Sequence, residues 1–248
     1  MKVISLINQK GGTGKTTSAV NIAGRLKMLG KKVLLVDLDY QRNLTVSITG
    51  EEFENTIFNV MANRVPISEV IHNANGFDLI PGDIKMRKLE KEIEDRVFKE
   101  LILSKSLNKI KENYDYCIID CRPDMELKEK NALIASDLIL VPTQPQLYSL
   151  EGLDILQGFK EEIELEMEKK IPLKIFCTMV NTRANNPMEI IDYLKNEYEG
   201  VMDSFIRHTV KLQEAPNERK TIFESDPKGN GAKDYTQLVE ELMHGGWI

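Results

Sequence analysis

The sequence predicts an α/β fold: a mainly parallel, twisted sheet with helices on both faces. Three observations predict it. Short apolar runs alternate with amphipathic stretches along the 248 residues, the order that βαβ units produce. The apolar runs are nearly continuous, as in Val33-Leu34-Leu35-Val36, which fits strands covered on both faces. The first run feeds a glycine-rich loop that opens an amphipathic segment, so strand, turn and helix follow in direct succession.

The elements follow in order. The first strand is read at Val3–Ile7, and its helix at Ser18–Leu29 with Gly30 as the C-terminal stop. Further strands are read at Val33–Val36, Phe77–Ile80, Tyr116–Ile119, Leu138–Val141 and Leu173–Met179, with a weaker one at Val201–Ile206. Met86, Leu89, Ile93, Val97 and Leu101 recur at helical spacing, and Gly152–Met167 has the same character. No internal repeat, low-complexity segment or Gly/Pro-rich linker divides the chain. Residues 1–248 are therefore read as one domain.

Composition narrows the function classes. Charged residues make up 29% and hydrophobic ones 42%, an ordinary globular balance. A net charge of −6 excludes a protein coated in basic surface but leaves room for a local basic patch. No apolar run approaches the roughly 18 residues that span a bilayer. Met1-Lys2 leads straight into the first strand without a signal-peptide pattern, so a cytoplasmic location is expected. Cys117, Cys121 and Cys177 are too sparse for a disulfide framework and are expected to be buried and inert. His72, His208 and His244 do not share metal-ligand spacing.

The loop Gln9-Lys10-Gly11-Gly12-Thr13-Gly14-Lys15-Thr16-Thr17 carries the chemistry. It aims backbone N–H groups and a helix N-terminus at one point, which suits a polyphosphate. Lys15 is placed to reach the β/γ-phosphates and the Thr16 hydroxyl to ligate Mg²⁺. The ordinary pattern G-x-x-x-x-G-K-[ST] wants Gly at position 9; this chain has Gln9 and gains Lys10. In open parallel sheets, ligands sit beyond the carboxyl ends of the strands. That rule selects Asp37-Leu38-Asp39 after the second strand and Asp120-Cys121-Arg122-Pro123 after Ile118-Ile119.

Asp120 suits a carboxylate that holds Mg²⁺ through its water shell. Asp37 and Asp39 are two apart and share a face in a straight strand. Asp37 is then expected in the metal shell and Asp39 beside the attacking water; a helix-cap role for Asp37 is the plainer alternative. Lys10 adds little to phosphates already served by Lys15. At the loop's outer edge it can instead cross to a second subunit, in the manner of an arginine finger, or simply be a solvated lysine.

These segments together resemble a family. Lys10-Gly-Gly-Thr-Gly-Lys-Thr-Thr resembles the deviant Walker A box of the ParA/MinD ATPases. Asp37-Leu-Asp39-Tyr-Gln41-Arg-Asn43 is similar to their D-x-D-P-Q-x-N box, and Asp120-Cys-Arg-Pro123 to their Walker B and following switch, usually ending C-P-P. Asn181, Arg207-His-Thr-Val-Lys211-Leu-Gln-Glu214-Ala-Pro216 and Asp226–Tyr235 fall in stretches similar to the chromosomal ParA (Soj) group. The resemblance implies a P-loop NTPase of the deviant Walker A class that binds ATP and Mg²⁺. Its nucleotide residues would be Lys10, Gly11, Gly12, Thr13, Gly14, Lys15, Thr16 and Thr17, with Asn181 and Pro216. Lys10, Lys15, Asp39 and Asp120 would be catalytic, and Thr16, Asp37 and Asp120 would serve the metal.

The resemblance further implies an ATP-dependent homodimer, slow hydrolysis stimulated by a ParB-type partner, and sequence-independent DNA binding used to move plasmids or chromosomal origins over the nucleoid. Arg183, Arg207, Lys211, Arg219 and Lys220 are candidate phosphate contacts, although Glu214, Glu218 and Glu224 interleave with them. A mixed, solvated face is the competing reading. A MinD-like or other cargo-positioning ATPase is the alternative function. The acidic Tyr235–Met243 segment does not read as a basic membrane helix, so no membrane contact is expected. A metabolic enzyme on the same scaffold is a third reading. Tyr40 and Arg122 both stand where the family has Pro, and Asp124 follows where a small residue is common.

Overall fold

The fold is that of a computed structural model that describes residues 1–146, 150–182 and 187–248; of residues 150, 151 and 187 only the backbone is described. The strands are β1 (Lys2–Leu6), β2 (Val33–Asp37), β3 (His72–Ala74), β4 (Phe77–Ile80), β5 (Tyr116–Asp120), β6 (Leu138–Thr143), β7 (Leu173–Val180) and β8 (Val201–Arg207). They form an eight-stranded sheet in the order β3-β4-β2-β5-β1-β6-β7-β8. Every pairing is parallel except β3 with β4. The expected α/β architecture is therefore the observed one.

The α-helices are α1 (Lys15–Met28), α2 (Asn43–Ile48), α3 (Ile57–Met61), α4 (Leu89–Glu92), α5 (Ile102–Asn108), α6 (Leu127–Ala135), α7 (Leu150–Met167), α8 (Pro187–Glu197), α9 (Val210–Glu214), α10 (Ile222–Ser225) and α11 (Asn230–His244). Alternation along each strand sorts the side chains into two cores. Val3, Val36, Ile119 and Val141 join residues of α3, α5, α6 and α7 on one face. Ile4, Leu6, Leu35, Ile118 and Phe176 join α1, α10 and α11 on the other. Tyr235, Leu238, Val239 and Leu242 of α11 are almost fully buried, so the apolar stripe of that helix is spent inside the protein. No described helix is long and apolar enough to cross a membrane.

One expectation fails in the fold, and one strand goes unread. The periodic run from Met86 to Leu101 is not one helix. Short helical turns at Ile84–Lys88 and Lys99–Leu101 flank α4, and Phe98 takes a left-handed φ of 57°. Val97 and Phe98 are 79% and 64% exposed, so the period holds through Ile93 and then breaks. The antiparallel edge strand β3 was also missed. Its signal was present: Asn75-Gly76, with φ of 50° and 74°, is a tight hairpin dipeptide.

Candidate functional site

Register brings the charged strand ends together. Leu6 and Asp37 both pair with Asp120 across the central strands, so the loop after β1 and two carboxylates share one rim. Gly12 and Gly14 hold left-handed φ of 73° and 87°, a conformation that suits glycine. Gly14 caps α1, which has no side-chain cap and no acid in its first turn. The first N–H groups of that helix thus remain for a ligand. The Thr178 hydroxyl donates to the Thr13 carbonyl at 2.8 Å, and Asn8 Oδ1 accepts from the Lys10 N–H at 2.9 Å. Asn8 Nδ2 in turn donates to the Pro142 carbonyl at 2.8 Å. The loop is pinned from two neighbouring strands.

Lys15 is 8% exposed. Its Nζ donates to the Asn8 carbonyl at 2.9 Å and the Lys10 carbonyl at 3.2 Å. Burial lowers its pKa, while Asp120 opposes the shift. The Thr16 hydroxyl donates to Asp120 Oδ2 at 2.6 Å. Asp120 Oδ1 is buried without a hydrogen-bond partner. Burial, then the nearby Asp37, pushes the Asp120 carboxyl up to about 8. An orphaned carboxylate oxygen beside a threonine hydroxyl is a costly arrangement unless something cationic or hydrated completes it. A magnesium ion fits there, with Thr16 as ligand and Asp120 acting through water. Among the described residues no group of three or more His, Cys, Asp or Glu forms a metal cage of its own.

Asp37 corrects an expectation. The strand ends at Asp37, so Asp37 and Asp39 do not continue as a shared face. The Asp37 carboxylate accepts from the Thr45 N–H at 2.8 Å, the Thr45 hydroxyl at 2.7 Å and the Asp39 N–H at 3.1 Å. It is fully buried, and burial pushes its pKa up to about 6. It braces the turn into α2. Asp39 lines the cleft, with Oδ1 accepting from the Gln41 N–H at 2.9 Å.

The cleft over the loop has a volume of about 400 Å³ and is lined by residues 11–17 with Asp39, Asn43 and Pro123, among others. It adjoins a smaller, more apolar cavity of about 180 Å³, walled by Met179, Leu212 and Pro216 among others. Gly14, Thr17 and Met179 line both. Lys10 stands at the outer edge, its Nζ donating to Gln146 Oε1 at 2.8 Å in an exposed contact. Asn181 is exposed at the end of β7 and lines neither cavity.

Among the described residues, three of the candidate DNA contacts are paired with acids. Arg207 is bound through Nε and Nη2 to Asp234, which is only 4% exposed. Arg219 has φ of 54°, and its guanidinium packs against Gly50. Arg207 is therefore committed to Asp234, whereas Arg219 is exposed. Lys211 is exposed and pairs with Glu214 at 2.9 Å; Lys220 pairs with Glu218 at 2.9 Å. Arg183 lies outside the described residues.

The three cysteines are buried, and burial raises all three thiols, Cys177 to about 12. None is a thiolate at neutral pH. Sequence reasoning missed Asn8 and Gln144. Gln144 donates to the Gly12 carbonyl at 3.1 Å, and it directly follows β6. Applying the carboxyl-end rule to β6 as well as to its neighbours finds it.

Residues 1–173 match the AAA domain family (AAA_31). The sporulation initiation inhibitor protein Soj of Bacillus subtilis is 34% identical over 251 aligned residues, covering 99% of each chain. A putative plasmid partition protein from Borrelia burgdorferi, solved bound to AMPPNP, superposes with a TM-score of 0.83 at 25% identity, covering 98% of this chain and 99% of that one. Cobyrinic acid a,c-diamide synthase from Mycobacterium smegmatis, solved with an ATP analogue and magnesium, gives a TM-score of 0.88 at 25% identity over 99% and 96% of the two chains.

Proposed function

We propose that this chain, which belongs to the Soj/ParA family of P-loop partitioning ATPases, is an ATP-dependent dimerising switch that binds DNA without sequence preference and segregates a replicon with a ParB-type partner. On this reading residues 1–248 act as one P-loop domain at the nucleoid. Soj at 34% identity over nearly the whole chain favours partitioning over the metabolic use of the same scaffold.

The cradle supports ATP as the substrate. The N–H groups of residues 11–17 surround the triphosphate, and Lys15 exchanges its two backbone carbonyls for phosphate oxygens. The apolar cavity walled by Met179, Leu212 and Pro216 takes the base. Thr16 and, through water, Asp120 would hold magnesium, which would supply neutralisation of the charge that develops on the phosphates. Asp39, at the cleft wall, orients the attacking water.

The observation that carries the dimer is Lys10. It lies in the loop yet its side chain reaches the rim, where its ammonium donates to Gln146 in an exposed contact, while Lys15 already serves the loop's own site. A second chain packed face to face receives Lys10 across its nucleotide. Size-exclusion chromatography and DNA retention with ADP, ATP and a slowly hydrolysed analogue test this reading. A dimer that retains DNA only with the triphosphates is expected; a monomer in all three overturns it.

A further inference from the structure

Tyr40 and Arg122, the two positions where this chain replaces the family's prolines, touch each other. The Arg122 guanidinium carbon lies 3.7 Å from the centre of the Tyr40 ring. The guanidinium carbon of Arg87 lies 4.0 Å from the same centre. One ring therefore holds two cations, each attracted to its π-system. The Arg122 side chain is only 14% exposed, so its neighbours fix it in place. From that position it reaches two carboxylates: Nη2 is 2.8 Å from Asp124 Oδ2, and Nε is 3.4 Å from Asp39 Oδ1. The second contact is an ion pair by distance, and the buried Nε–H makes no hydrogen bond.

The charge around Asp39 explains why that pair matters. Asp37, Asp39 and Asp120 crowd the ends of β2 and β5, where Asp37 pairs directly with Asp120. Lys15 interacts with Asp120 and Asp39 from the loop side. Arg122 is the cation on the switch side. A carboxylate repelled by two others keeps one orientation only if something holds it. The Gln41 N–H and Arg122 both engage Oδ1, which leaves Oδ2 as the oxygen available to a water in the cleft.

We propose that Arg122 is a positioning residue for hydrolysis: it holds Asp39, and Tyr40, flanked by Arg87, holds Arg122. The proposal rests on the reading of Asp39 as the group that orients water. The two replacements then form one device. A tyrosine alone seats Arg87 but brings no cation to Asp39, and an arginine without the ring is not held beside Asp39.

Steady-state ATP turnover of the full chain, with nucleotide affinity and thermal unfolding measured on the same samples, tests it. Arg122→Ala and Tyr40→Ala each lower kcat about tenfold or more while KM stays within about twofold, because a displaced orienting group can cost up to 10²-fold. The double variant falls no further than either single one, the mark of residues that act as a unit. Tyr40→Phe keeps the ring and recovers most of kcat. If Arg122→Ala does not fold, Arg122→Gln removes the charge at similar length and gives the same reading. A kcat that is unchanged or raised without Arg122, or losses that multiply in the double variant, overturns the proposal. Asp39→Ala separates the two claims. If it keeps turnover, the role given to Asp39 is wrong; if it abolishes turnover while Arg122→Ala does not, only the positioning role is wrong.

Discussion

The phosphate cradle and the Arg207–Lys220 stretch carry comparable charge but use it in opposite ways. In the cradle, polar groups are buried and left incompletely satisfied. Asp120 Oδ1 has no partner, and Lys15 rests on two backbone carbonyls. In the late stretch Arg207, Lys211 and Lys220 each have an acid. At the rim of the cleft, a buried oxygen without its partner marks a place built for something that arrives later. A cation already paired marks a fold held together, or a surface whose binding must compete with its own acids.

The largest test of that contrast is at the two loop lysines. Lys15→Ala is expected to abolish both nucleotide binding and turnover. Lys10→Ala is expected to keep ATP affinity and lose turnover on the order of 10³-fold, the scale of a finger residue supplied across an interface. Equilibrium binding of a fluorescent ATP analogue beside a phosphate-release assay separates the two. Equal loss of binding in both variants would erase the distinction between cradle and rim.

On the late stretch the expected effect is on folding. Arg207→Ala leaves the buried Asp234 with the backbone N–H of residue 207 but without the guanidinium, so denaturant unfolding should show a loss of up to about 3 kcal/mol. Adding Asp234→Asn should recover much of it. A stable Arg207→Ala variant with weakened DNA binding would return Arg207 to the set of phosphate contacts.

The cradle side should answer in the other direction. Glu129 in α6 is fully buried with Oε1 unpartnered, and burial pushes its carboxyl from an ordinary 4.5 up to about 7. The folded chain thus keeps a proton that the unfolded chain has released. Its stabilising contribution is complete below pH 4.5 and is lost as pH rises through about 7. Glu129→Gln should therefore be neutral in acid and stabilising by about 3 kcal/mol at pH 8. Unfolding midpoints at both pH values check it, and an equal change at both would show that the carboxyl does not titrate in that window.

The same contrast explains what was legible in the sequence. Strand ends, the glycine loop and Asp120 could be read because strand, turn and ligand group are contiguous and obey period and topology rules. The helix break at Phe98 could not, because Val97 and Phe98 are apolar residues that the fold leaves outside. Pairings between distant segments were also hidden. Nothing in the neighbourhood of Arg207 announces Asp234, and nothing near Asp37 announces that Thr45 will claim its carboxylate. The link between Tyr40 and Arg122 spans two loops that meet only once β2 and β5 pair.

The smallest expected effect decides whether the late stretch binds DNA at all. Lys211 is exposed and its partner Glu214 is itself half exposed, so their mutual attraction is screened and weak. A phosphate can displace Glu214 at little cost, which is not true of Asp234 beside Arg207. Each phosphate contact contributes a slope of about −0.9 in log K against log salt. In a dimer Lys211 counts twice, so Lys211→Ala should flatten the slope by about 1.8 while leaving the unfolding temperature unchanged. An unaltered slope would mean that Lys211 makes no phosphate contact.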